Sequence, residues 1–137
     1  MPFVLDASVT ACWAFDDEDY PEASLAFRLI GTEEALVPAL WWFEVRNIFI
    51  VSERRRRITP SVTAAFLRNL ALLPIRIDRT PDETALLRLA RTRKLSAYDA
   101  AYLELAQRQG LPLATLDLTL QKAARLEGIP LLSQSKI

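Results

Sequence analysis

Three short apolar runs, Phe3-Val4-Leu5, Ala35-Leu36-Val37 and Leu113-Ala114-Thr115-Leu116, and the alternating Ile75-Arg76-Ile77 are separated by segments of helical periodicity. Runs this short and apolar fit buried strands better than helices. Strands that alternate with helices need crossover connections, so the sheet is parallel and carries helices on both faces. The expected architecture is a three-layer α/β/α domain with a central parallel sheet of four to five strands. Pro130-Leu131-Leu132 is the candidate fifth, at an edge. No linker, repeat or low-complexity stretch interrupts residues 1–137, which read as a single domain.

The helices carry their own punctuation. Val9 to Phe15 reads as a short helix after the first strand. Pro21 opens the next, and Gly31 ends it. Leu40 to Arg55 is a long helix rich in Trp41, Trp42, Phe43, Val45, Ile48, Phe49 and Val51. Thr59-Pro60 starts a helix running to about Leu73, and Thr80-Pro81-Asp82-Glu83 starts one running to about Arg93. Ser96 opens a further helix that ends at Gln107 to Gly110, and the last runs from Asp117 to Glu127, with Gly128 as its cap. The acidic stretch Asp16 to Asp19 reads as a solvated loop, and the last five residues as loose.

Composition removes several chemistries. Of 137 residues, 51% are hydrophobic and 25% charged, which fits a globular chain with a real core. Seventeen basic and seventeen acidic residues cancel, so any attraction to a polyanion must come from a local patch. Cys12 is the only cysteine and histidine is absent. Disulfide frameworks, histidine general bases, Ser-His-Asp triads and the usual zinc sites are therefore excluded. The N-terminus lacks the pattern of a signal peptide, and no apolar run approaches the roughly 20 residues of a membrane span. A cytoplasmic protein without a membrane partner is expected.

The remaining chemistry belongs to carboxylates. Asp6 ends the first strand and Asp117 follows the fourth, so a parallel sheet brings both to one edge, where open α/β folds place their sites. Each could instead cap the helix that follows it. Asp99 sits at the third helical position after Ser96, as in a capping box. Yet its neighbours one turn on are Tyr102 and Leu103, an apolar face. Glu44 has Leu40, Trp41, Asn47, Ile48 and Val51 around it and needs a cation, a proton or an arginine partner. Four such acids in one pocket would raise each other's pKa, and a divalent ion relieves that repulsion. All-oxygen ligation suits Mg²⁺ or Mn²⁺, which can activate water for phosphodiester hydrolysis. Ser8 and Thr115 offer supporting hydroxyls, and Asn47 a helix-borne amide that can hydrogen-bond Glu44.

Val4-Leu5-Asp6-Ala7-Ser8, Pro38 to Asn47, Leu95 to Leu103 and Leu113 to Asp117 resemble, in order and over nearly the whole chain, the four motifs of the PIN domain. They are most similar to the VapC ribonuclease toxins of toxin–antitoxin pairs. The resemblance implies a metal-dependent endoribonuclease whose acidic quartet is Asp6, Glu44, Asp99 and Asp117, supported by Ser8, Asn47 and Thr115. It also implies an RNA substrate, Mg²⁺ or Mn²⁺, a cognate antitoxin and a homodimer. Two other readings stand beside it. One is a receiver-like phospho-acceptor module with Asp78 as its acceptor, and the other a PIN-like domain for RNA processing or scaffolding. Arg54 to Arg57 is either a solvated helix end or a phosphate contact. Trp41 and Trp42 are core candidates, one of which could line an antitoxin groove.

Overall fold

The computed structural model describes residues 1–15 and 17–133. Asp16 of the acidic loop and the last four of the five residues expected to be loose lie outside them. Strand β1 (Phe3–Leu5) pairs in parallel with β2 (Ala35–Pro38) on one side and with β4 (Leu113–Ala114) on the other. Strand β3 (Ile75–Asp78) adds to β2, in parallel register from Ala35↔Ile75 to Pro38↔Asp78. The order is β3-β2-β1-β4. The central strand β1 is wholly buried, as its unbroken apolar run requires.

Helices α1 (Ala7–Cys12), α2 (Pro21–Leu29), α3 (Leu40–Arg54) and α4 (Pro60–Leu70) make the two steps from β1 outward to β3. Helices α5 (Glu83–Arg93) and α6 (Ala97–Gln109) then carry the chain back across the sheet to β4, and α7 (Leu118–Leu126) follows. Right-handed crossovers in opposite directions put the first group on one face and the second on the other. The expected three-layer α/β/α architecture is what forms. The reversal of direction lies between β1 and β4, which makes their C-terminal ends the switch point of the sheet.

Several expected boundaries move. Helix α1 starts at Ala7, directly after Asp6, and ends before Trp13. Pro38 belongs to β2 as its last residue, where a missing N–H costs no ladder bond. The candidate fifth strand contributes a single bridge, Leu131 to Leu113. The helix expected to reach Leu73 stops at Leu70, and the chain turns into β3.

The largest departure concerns α6. Residues Ala100 to Ala106 are buried without interruption, so the helix has no solvated stripe along its middle turns. Glu104, a charged residue within this buried run, is 2% exposed. Its charge is compensated by Arg108 at 2.7 Å and by the Asp82 N–H. Arg108 also binds Asp78 at 2.6 Å, which ties α6 to the end of β3. Small alanines let this helix lie close over the sheet and place both Asp99 and Tyr102 inward.

Candidate metal centre

Asp6 occupies the N-cap position of α1 but makes no side-chain cap hydrogen bond. Its Oδ2 instead accepts from the Thr115 hydroxyl at 2.6 Å and from the Ser8 hydroxyl at 2.9 Å. Those two hydroxyls also fix the β4 end: Ser8 Oγ accepts the Leu116 N–H and Thr115 Oγ1 accepts the Asp117 N–H. Asp6 is buried, and burial pushes its carboxyl up despite these donors.

Asp117 is exposed and does cap α7, with Oδ1 accepting from Thr119 and Leu120 N–H. Its other oxygen has no hydrogen bond among the described residues. Asp99 sits in the first turn of α6, whose cap is Ser96: the Ser96 hydroxyl accepts the Asp99 N–H at 3.0 Å. The reciprocal bond of a capping box, from Ser96 N–H to the Asp99 carboxylate, is absent among the described residues. The cap uses the Asp99 N–H, while the Ser96 hydroxyl also holds the Asp99 carboxyl down against burial.

Glu44 is positioned by its helix. Trp41, 4% exposed, packs toward α1 and donates its indole N–H to Thr10, which itself donates to the Asp6 carbonyl. This clamps the first turn of α3 to the start of α1. Glu44, three residues on, is half-buried and accepts a 2.5 Å hydrogen bond from the Tyr102 hydroxyl of α6. Burial is the main reason its carboxyl is pushed up, and Asp6 and Asp99 push it further while Tyr102 opposes them. Asp99 is raised likewise, by burial first and then by Asp117. The electrostatics thus run from Asp6 to Glu44, to Asp99, to Asp117. All four acids stand at one edge.

No arginine or lysine among the described residues pairs with any of them. The donors are all oxygen, which fits a hard divalent cation. Among the described residues no three His, Cys, Asp or Glu side chains form a group that could hold a metal ion by themselves.

The other expectations separate cleanly. Asn47 is exposed and makes no hydrogen bond to Glu44 among the described residues; Tyr102 takes that place. Tyr102 was legible as a hydroxyl on an apolar face, one turn from Asp99, but its partner lies 58 residues away. Asp78 is held by Arg108 and by Thr80, which lower its pKa and leave no open acceptor. That removes the support for the receiver-like reading. Arg57 binds Asp17 and Glu18 and lies over the Phe15 ring, so the last arginine of the run is paired with two acids of the loop. Trp41 is core, whereas Trp42 is exposed with Arg46 stacked on it at 3.9 Å. Cys12 is buried and its thiol is pushed up to about 12, which fits a packing residue.

The PIN domain family matches residues 3–126, and the chain belongs to that family. PIN domains are nucleases. No curated protein matches the chain. Among solved structures, PAE2754 from Pyrobaculum aerophilum superposes with a TM-score of 0.71 at 23% identity, over 90% of this chain and 84% of that one. VapC20 of Mycobacterium tuberculosis, a sarcin–ricin loop cleaving toxin, superposes with a TM-score of 0.62 at 17% identity, over 88% of this chain and 94% of that one. At these identities the likeness is one of fold. No helix among the described residues is long and apolar enough to cross a membrane.

Proposed function

We propose that the chain is a Mg²⁺- or Mn²⁺-dependent endoribonuclease acting as the toxin of a toxin–antitoxin pair, a cytoplasmic homodimer held in check by a cognate antitoxin. Asp6, Glu44, Asp99 and Asp117 hold the ion in this reading. One observation carries it: the carboxyls of Asp6, Glu44 and Asp99 are all pushed up, by burial first, and no cationic side chain among the described residues relieves any of them. A fold does not keep uncompensated acids together without cost. A cation from solution is the compensation that the donor set favours.

Mg²⁺ or Mn²⁺, when bound, supplies the Lewis acidity that activates water and offsets charge developing on the phosphate. The protein's part is to hold the acids without discharging them. Ser8 and Thr115 orient Asp6 through neutral hydroxyls, and Tyr102 orients Glu44 in the same manner. Asp117 spends one oxygen on the α7 cap and keeps the other available. The toxin role draws its support from the family and from the structural neighbour that cleaves the sarcin–ricin loop.

Induced expression tests the biological half. The parent chain should arrest growth, and Asp6→Asn at equal protein level should relieve the arrest. Equal arrest by both would show that cleavage at this centre is not the cause.

A further inference from the structure

Of the side chains at this edge, one makes a contact that neither the cap chemistry nor the core explains. Tyr102 is 1% exposed, yet its hydroxyl reaches out of the core to Glu44 Oε1 at 2.5 Å. The same hydroxyl lies within electrostatic range of Asp6. A phenol has a single proton, and here it is donated to Glu44. Tyr102 leaves α6 one turn after Asp99, so it shares a face with that acid. One hydroxyl thereby ties α6 to α3 where Glu44 stands, one turn from Asp99 and within electrostatic range of Asp6.

We infer that Tyr102 is the positioning residue of the centre: it occupies one oxygen of Glu44 with a neutral donor and leaves the other, with its full charge, for the cation. The inference rests on the metal reading above. Glutamate has three rotatable bonds and would otherwise be free to swing toward solvent on its half-exposed helix flank. An arginine in the same place would hold Glu44 as firmly but would neutralise it, and the ion would lose a ligand. A phenol holds without discharging. Ser8 and Thr115 do the same for Asp6, so both of these acids are held by hydroxyl donors.

The test is a Mn²⁺ titration followed by electron paramagnetic resonance on four metal-free proteins: the parent, Tyr102→Phe, Glu44→Ala and the double variant, each checked for folding by circular dichroism. Loss of an outer partner of a ligand typically weakens metal binding at least tenfold. Tyr102→Phe should therefore weaken Mn²⁺ about tenfold in the parent background and less than twofold once Glu44 is alanine. Equal losses in both backgrounds would reduce Tyr102 to packing, and no loss in the parent background would remove it from the centre. A parent that binds no Mn²⁺ would overturn the metal reading itself, and this role with it.

A second measurement needs no change at Tyr102. Tyr20 and Tyr98 are exposed, so replacing both by Phe leaves Tyr102 as the sole tyrosine. The resonance Raman signature of a strongly donating phenol should persist when Mg²⁺ saturates that protein. Its disappearance on adding Mg²⁺ would contradict the assignment.

Discussion

The Thr115 hydroxyl donates a 2.6 Å hydrogen bond to the Asp6 carboxylate, joining the ends of two neighbouring strands across 109 residues of sequence. The same oxygen accepts the Asp117 N–H, so one side chain sets the spacing between two of the acids. Thr115→Val keeps the shape and removes both bonds. It should cost about 1–3 kcal/mol in urea unfolding of the metal-free chain. RNA cleavage should fall with it, while Thr115→Ser retains most of both. Wild-type cleavage by Thr115→Val would mean that Asp6 needs no such anchor.

Glu44 has a tyrosine for a partner and no arginine, which changes what Glu44→Gln should do. Breaking a buried ion pair costs about 3–5 kcal/mol, whereas removing a charge that repels Asp6 and Asp99 does not. The metal-free variant should be as stable as the parent or more so. Its stabilisation by Mg²⁺ should be lost along with cleavage. A large loss of stability that Mg²⁺ does not affect would contradict this.

The pH dependence follows from the same group. Asp6, Glu44 and Asp99 all have folded-state pKa values raised above their ordinary ones, so the native chain binds more protons than the unfolded chain. Their effect on stability is most favourable below the ordinary carboxylate range and is lost as pH rises through the raised values. Metal-free unfolding free energy should therefore carry a downward slope above pH 4.5 that saturating Mg²⁺ flattens. An unchanged slope in Mg²⁺ would separate these acids from any ion.

Glu127 titrates in the opposite sense. Arg88, with help from Arg93 and Gln107, pulls its carboxyl from 4.5 to about 2. Its contribution is fully present above pH 4.5 and is lost as pH falls toward 2. Glu127→Gln should remove that acid-side loss and lower stability at neutral pH by about 1.5–3 kcal/mol, the range for hydrogen bonds to charged groups. Acid unfolding curves of the two proteins, compared with their neutral-pH stabilities, provide the check.

How far the sequence could be read depends on how local each cause is. The strands were legible because three are short apolar runs and β3 alternates about Arg76, and the sheet edge was legible because Asp6 and Asp117 sit at strand ends. The caps of α6 and α7 were legible because Ser96 and Asp117 act within four residues. The Glu104–Arg108 spacing is local, but the burial of the pair was not legible, since it depends on Asp78 at the end of β3 and on the backbone of the loop before α5. Tyr102 was visible as a residue and invisible as a partner of Glu44. Asn47, one turn from Glu44, was the nearer choice by spacing and the wrong one by orientation.

Asp99 separates cap from ligand most sharply. Its N–H completes the Ser96 cap, a bond that a longer side chain keeps, so Asp99→Glu should fold about as well as the parent. The added methylene displaces the carboxylate by more than the roughly 0.5 Å a working site tolerates, so cleavage should be lost. Ser96→Ala is the matched control, costing about 1 kcal/mol through the cap while leaving much of the activity. Parental cleavage by Asp99→Glu would return Asp99 to the helix end.

The central claim is that four carboxylates held at the switch point of the sheet bind a divalent ion with which the chain cuts RNA. Cleavage of one defined RNA, measured for the purified parent and for Asp6→Asn in Mg²⁺, in Mn²⁺ and in excess EDTA, tests it most directly. The parent should cut in either metal and stop in EDTA, and Asp6→Asn should cut in neither. Full cleavage by the parent in EDTA, or by Asp6→Asn in Mg²⁺, would contradict the account.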